Sequence, residues 1–131
     1  MKMDFKEYEK FTESTDISNN SMQFYLDGMS EEGGELSGVL KRVRRGDYDI
    51  NTYTDTKASE NIERLGLEYV LLNFPEIRKD IVSEIGDRHW YTTRFLSKIG
   101  VNWNEVMDYN KSKLVKRKED GTIMGHGEER K

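Results

Sequence analysis

Four acidic residues at matching spacing carry the first chemical suggestion in this sequence. Glu32 and Glu35 stand three residues apart, and so do Glu84 and Asp87. On a helix, a three-residue step leaves two side chains about 60° apart on nearly one face. Glu32 falls where an apolar stripe between Met29 and Leu36 should continue inward, and Ile81 and Ile85 flank Glu84. Gly33 and Gly34 sit inside the first pair and Gly86 inside the second. A glycine within a helix costs about 1 kcal/mol relative to alanine, so its use at an inward acidic site suggests close approach to the backbone there. Clustered carboxylates in a low-dielectric site are strongly disfavoured unless something offsets their charge. A divalent cation would do so. With no cysteine, and histidine only at His89 and His126, the donor set is oxygen, which suits Mg²⁺ or Mn²⁺ better than Zn²⁺. The corresponding chemistry is metal-assisted reaction at phosphate. Acidic residues at this spacing are also common on solvated helix faces, and periodicity alone leaves both readings open.

The elements that must position these residues are helices. Met22, Leu26, Met29, Leu36, Leu40 and Val43 recur at three- and four-residue steps and predict a helix over 21–45. Lys41, Arg42, Arg44 and Arg45 suit the negative end of its dipole, and Gly46-Asp47 reads as a stop. A polar, turn-like stretch follows over 48–56. A second helix is expected over 58–73, with Ile62, Leu65, Tyr69 and Leu72 on one side. Pro75 suits the first turn of a third helix over 76–99, which places Ile77, Ile81, Ile85, Phe95 and Ile99 at core spacing and ends at Gly100. Asn102 and Glu105 form a capping-box pattern opening a fourth helix toward Lys118. The three glycines after position 120 suggest an extended, flexible tail over 120–131. The expected fold is all-α, a single domain built as an antiparallel bundle of four to five helices.

Bulk properties narrow the class. Apolar residues make up 34% of the 131 and charged residues 35%, so a stable core needs well-formed stripes or subunits that share one. The latter favours a homo-oligomer. A net charge of −4 argues against binding polyanions by bulk attraction. The absence of cysteine fits a reducing compartment. The first residues, MKMDFKEYEKF, alternate charge and apolarity without the apolar run of a signal peptide, and no stretch is long enough to span a bilayer. A soluble cytoplasmic protein is expected.

Three segments, in order, resemble the motifs of MazG-like nucleotide pyrophosphohydrolases. GMSEEGGELSGVLKRVRRGD (28–47) is similar to their E-E-x-x-E helix. EIGDRHWYTTRFLSKIGV (84–101) is similar to their E-x-x-D motif with its aromatic pair. NKSKLVKRKEDGTIMGHGEER (110–130) is similar to their N-x-x-K-L-x-x-R segment with a glycine-rich tail. The resemblance implies an all-α dimer or tetramer. It also implies a metal held by Glu32, Glu35, Glu84 and Asp87, and hydrolysis of a nucleoside triphosphate (NTP or dNTP) to the monophosphate and pyrophosphate. The interval between Glu35 and Glu84 is longer than is usual in that family, with 48–73 as the insert.

Several other residues enter this expected site. Glu35 and Glu31, the latter next to Glu32, are the catalytic candidates, Glu31 as general base or as a residue just outside the ligand set, although an exposed Glu31 is the simpler reading. Asn110, Lys113 and Arg117 share a helix face and, on the resemblance, contact the phosphates, although a basic last turn also complements the helix dipole. Separately, the tail could fold over a bound nucleotide with Arg130 reaching phosphate, or simply be disordered. Lys41 is a further phosphate candidate, although a solvated helix end accounts for the whole 41–45 cluster. Tyr91 could pack on a nucleobase or fill the core. Trp103 reads as an anchor between helices, and His89 as structural or as a contact to a base edge. Two other functional classes compete: a non-enzymatic helical interaction protein, and a nucleic-acid binder using the basic clusters 41–45 and 111–118. Binding to nucleic acid would show a steep salt dependence, and the negative net charge counts against it.

Overall fold

The computed structural model describes residues 2–17, 20–48 and 66–125. Among them are five helices and no strand: α1 (Phe5–Thr15), α2 (Met22–Arg45), α3 (Leu67–Asn73), α4 (Pro75–Lys98) and α5 (Trp103–Glu119). The all-α expectation holds. The turn-like stretch beyond Tyr48 and the first half of the helix expected over 58–73 lie outside the described residues, as do His126 and Arg130. No described helix is long and apolar enough to cross a membrane. The chain divides into two compact units, Asn20–Thr92 on the one hand and Met1–Asn19 with Thr93–Lys131 on the other.

In the unit Asn20–Thr92, the ends of the helices follow local chemistry. Ser21 caps α2 by accepting a hydrogen bond from the Phe24 N–H at 3.3 Å. Gly46 closes α2 at φ 91°, in the left-handed region open to glycine. Val39, Val43, Val70 and Ile77 form the core, with Tyr48, Leu71, Phe74 and Ile81 packed against it. Each such fully buried aliphatic side chain contributes about 1.5–3 kcal/mol.

The inward line of α2 is turned from the one expected. Met22 and Leu26 are exposed, while Tyr25, Gly28, Val39 and Val43 are buried. These residues and Glu32 follow one another at three-, four- and seven-residue steps, so Glu32 lies on the buried line itself. In α3 the buried residue is Val70, and Tyr69 and Leu72 face outward. In α4, Ile85 is 51% exposed. The inward line there runs through Ile77, Ile81, Glu84 and Tyr91, and Ile85 falls on its flank. Ile99, also expected in the core, is exposed.

The other unit contains α1, an element the alternation of charge and apolarity concealed. Asp4 accepts from the Glu7 N–H at 2.8 Å and Glu7 accepts from the Asp4 N–H at 3.0 Å, a complete capping box. Asn102 and Glu105 form the same device at the start of α5, as expected. Trp103 anchors this unit. Its ring N–H donates to Thr93 Oγ1 at 2.8 Å, its backbone N–H donates to Glu9 Oε1 at 2.9 Å, and its ring packs on Phe5. Gly100 is left-handed at φ 72° just after α4, where a stop was expected.

Candidate functional site

Within Asn20–Thr92, α2 and α4 pair in opposite chain directions. Gly28 lies against Tyr91 and Gly33 against Arg88, while Val39 and Val43 share the core with Ile77. That register brings the two acidic pairs to one level. One carboxylate oxygen from each of Glu32, Glu35 and Glu84 lies within 4.8 Å of the others. Asp87 is outside this group, but its charge acts on Glu32 and Glu84. Three of the four expected ligands therefore converge, and the fourth stands beside them.

The electrostatics of the group are unfavourable as it stands. Glu32 is pushed up to about 7, first by burial and then by the charges of Glu35, Asp87, Glu84 and Glu31. Glu84 is raised as well, first by burial and then by its hydrogen-bonding contact with Glu35 and that residue's charge. Oε2 of Glu32 and Oε2 of Glu84 are buried with no hydrogen-bond partner among the described residues. Carboxylates this close must share either protons or a cation. The all-oxygen donors and the two buried, unpartnered oxygens fit a hard divalent cation.

Aromatic rings wall one end of the group. A Cβ on Gly28 would lie 2.2 Å from Tyr91 Cδ1, so the α2 backbone rests directly on that ring. The close backbone approach expected at the glycines of the acidic pairs thus occurs five residues earlier. Gly34 and Gly86 meet nothing within 4 Å among the described residues. Phe24 and Trp90 stand at 5.8 and 5.2 Å from Tyr91, ring centre to ring centre. Burial and then the charges of Glu32, Glu31, Asp87 and Glu35 raise the Tyr91 hydroxyl above its usual range. Burial lowers the pKa of His89, which favours the neutral ring.

Two arginine side chains lie against glycines of α2. Nη1 of Arg42 lies 3.3 Å from where a Cβ on Gly38 would stand, so the guanidinium folds back over that glycine. Arg42 also meets the hydroxyl of Tyr48, which donates to Asp80 Oδ2. Nε of Arg88 lies 3.9 Å from the Cβ position of Gly33. In the sequence Arg42 stands out only as one of the basic cluster 41–45, and Arg88 does not stand out. The signal available was the i, i+3, i+7 series Glu35, Gly38, Arg42, which places all three on one face.

The remaining candidates are placed as follows. Glu31 is exposed beside Glu32, and Lys41 is exposed, away from the inward line of Val39 and Val43. Asn110, Lys113 and Arg117 belong to the other unit. They do not form one open face: Asn110 is exposed, Lys113 sits 5.7 Å from the centre of the Tyr109 ring, and Arg117 is only 9% exposed. Arg130 lies outside the described residues. That unit also has a cleft of about 360 Å³, lined among others by Lys6, Glu9, Lys10, Glu13 and Trp103. Its opposing charges balance and single out no ligand.

The chain is 25% identical over 113 residues to the Gene 37 protein of Mycobacterium phage L5, a match spanning 86% of this chain and 80% of that protein. No family model matches the sequence, and no solved structure matches it.

Proposed function

We propose that the protein is a MazG-like, Mg²⁺-dependent nucleoside triphosphate pyrophosphohydrolase, converting an NTP or dNTP to its monophosphate and pyrophosphate. The observation that carries this reading is the convergence of Glu32, Glu35 and Glu84 within 4.8 Å, with two of their oxygens buried and unpartnered. Glu35 is exposed, but acidic groups of a purely solvated face would not place Glu32 and Glu84 half-buried on the inward lines of two paired helices. The ordered motifs of the sequence add the substrate class.

In this scheme Glu32, Glu35 and Glu84 hold Mg²⁺, with Mn²⁺ as a substitute, and Asp87 completes the negative field. The ion, when bound, offsets phosphate charge and makes water a better nucleophile at neutral pH. Glu31, at the exposed edge of the group, takes the proton of the attacking water. Tyr91 and its neighbouring rings exclude water from one side. Lys41, Asn110, Lys113, Arg117 and Arg130 are the phosphate contacts that the sequence suggests.

The protein acts in this proposal as a cytoplasmic homodimer or homotetramer. Supporting this are its small core and outward apolar residues on α4, such as Val82, which is 68% exposed.

Pyrophosphate release from the eight common NTPs and dNTPs, measured with Mg²⁺ and with EDTA, tests the reading. Metal-dependent release with monophosphate as co-product is expected, and Glu35→Gln should abolish it while helicity is retained. Full activity in Glu35→Gln would overturn the assignment.

A further inference from the structure

We infer that Arg42 and Arg88 form an anion subsite flanking the carboxylate group, built to receive the phosphates of a metal-complexed polyphosphate; this rests on the hydrolase reading above. The argument starts from angles on α2. At about 100° per residue, Glu35 lies about 60° from Glu32 in one sense. Gly38 lies about 120° from Glu32 in that same sense, and Gly33 about 100° in the other. Arg42 folds over Gly38 and Arg88 crosses Gly33. Around the α2 axis these two contacts therefore fall on either side of Glu32 and Glu35, with Arg88 at Gly33 next to Glu32 and Arg42 over Gly38, about one turn beyond Glu35.

Their partners strengthen the case. No ion pair involves Arg42 or Arg88 among the described residues, whereas Arg45 is taken up by Asp47 and Arg94 by Asp16. Arg42 is nonetheless held in place: the Tyr48 hydroxyl meets it, and Asp80 accepts the proton of that hydroxyl. Gly38 provides the room, since any Cβ there would crowd the guanidinium at 3.3 Å. Asp47 feels the charge of Arg42, but no carboxylate forms an ion pair with that guanidinium among the described residues, which leaves its hydrogen-bonding edge for a ligand. Guanidinium groups pair with phosphate through two parallel hydrogen bonds. A ligand with charge for both halves of the site carries a cation for the carboxylates and phosphate oxygens for the arginines. These arginines also belong to the same unit as the carboxylates, unlike Asn110, Lys113 and Arg117.

The test is calorimetric titration of the protein with inorganic tripolyphosphate in Mg²⁺, and separately with Mg²⁺ alone. Arg88→Gln and Arg42→Gln should each weaken tripolyphosphate binding by about ten- to a hundredfold, the loss of a charge-assisted contact. Affinity for Mg²⁺ alone should not fall, and Arg42→Lys should recover part of the loss. Arg88 is exposed, so its variant carries the test even where Arg42→Gln disturbs folding through Tyr48. Unchanged tripolyphosphate affinity in Arg88→Gln, or no binding by the wild type, overturns the subsite. Arginine-dependent binding with no pyrophosphate release from any NTP would keep the subsite and remove the hydrolase reading. Metal-dependent release with KM unchanged in both glutamine variants would do the reverse.

Discussion

Glu32→Gln should stabilise the metal-free protein at pH 8 and leave it almost unchanged at pH 5. Glu32 has its folded pKa raised from 4.5 to about 7 by burial and by four neighbouring carboxylates. Below pH 4.5 it is protonated in both folded and unfolded chains, and the raised value has no effect on their balance. Between about 4.5 and 7 the unfolded chain gives up this proton while the folded one keeps it, so stability falls as pH rises. Above about 7 the folded group ionises too and the loss levels off. At about 1.36 kcal/mol per unit the full shift corresponds to about 3 kcal/mol. Water reaches this half-buried group, and screening reduces the figure to about 1–2 kcal/mol. For a chain of this size that is a rise of roughly 3–8 °C in Tm. The assay is thermal unfolding by circular dichroism in EDTA, wild type against Glu32→Gln, at pH 5 and pH 8. A variant less stable than wild type at pH 8 would refute the reasoning, because Glu32 would then be a stabilising carboxylate and not a frustrated one.

Two further outcomes follow from the packing. Gly28→Ala should lower the urea unfolding midpoint, because a Cβ at 2.2 Å from Tyr91 forces the ring aside. Overpacking of this kind costs about 1–3 kcal/mol, against a helix-propensity gain of about 1 kcal/mol; a variant more stable than wild type would deny the contact. Asp16→Ala should cost about 3–5 kcal/mol in the same assay, because it leaves Arg94 as an uncompensated buried charge. The pair meets at 2.8 Å with side chains only 3% and 10% exposed. Asp16→Ala combined with Arg94→Met should recover most of that loss, and no recovery would mean the charge is not the cause.

Helices were legible in the sequence wherever a long periodic stripe met a chemical stop. Ser21, Gly46, Gly100 and the Asn102–Glu105 box mark observed boundaries within a residue or so. The exact inward face was less legible. Large apolar residues drew the expected line through Met22 and Leu26, but the close α2–α4 contact is made by Tyr25, Gly28 and the Tyr91 ring, and a glycine gives no hydrophobic signal. α1 escaped notice because its few apolar residues are spread among charges, although Asp4 and Glu7 carried the cap pattern. The carboxylates were legible because they break a stripe at fixed spacing. Arg88 was not, and Arg42 only as one of a basic cluster, because an arginine's reach depends on which backbone it folds across, and spacing reports only where its Cα stands.

The concentration of local costs in one short stretch is itself informative. Between Gly28 and Gly38, α2 carries four glycines in mid-helix and a half-buried acidic residue, Glu32, on its inward line, all of which work against an isolated, stable helix. Tyr91 occupies the space at Gly28 and Arg42 the space at Gly38, while Gly34 opens onto space that no described residue fills. Such conflicts between local preference and fold persist at sites where function requires them. An interaction surface would need the outward faces of these helices and would gain nothing from carboxylates on the buried line. A nucleic-acid surface would need its cations, not its anions, at the junction of α2 and α4. In the reading proposed above, a metal–polyphosphate complex would meet Glu32, Glu35 and Glu84 through its cation and Arg42 and Arg88 through its phosphates, a use of both charge types that neither rival offers.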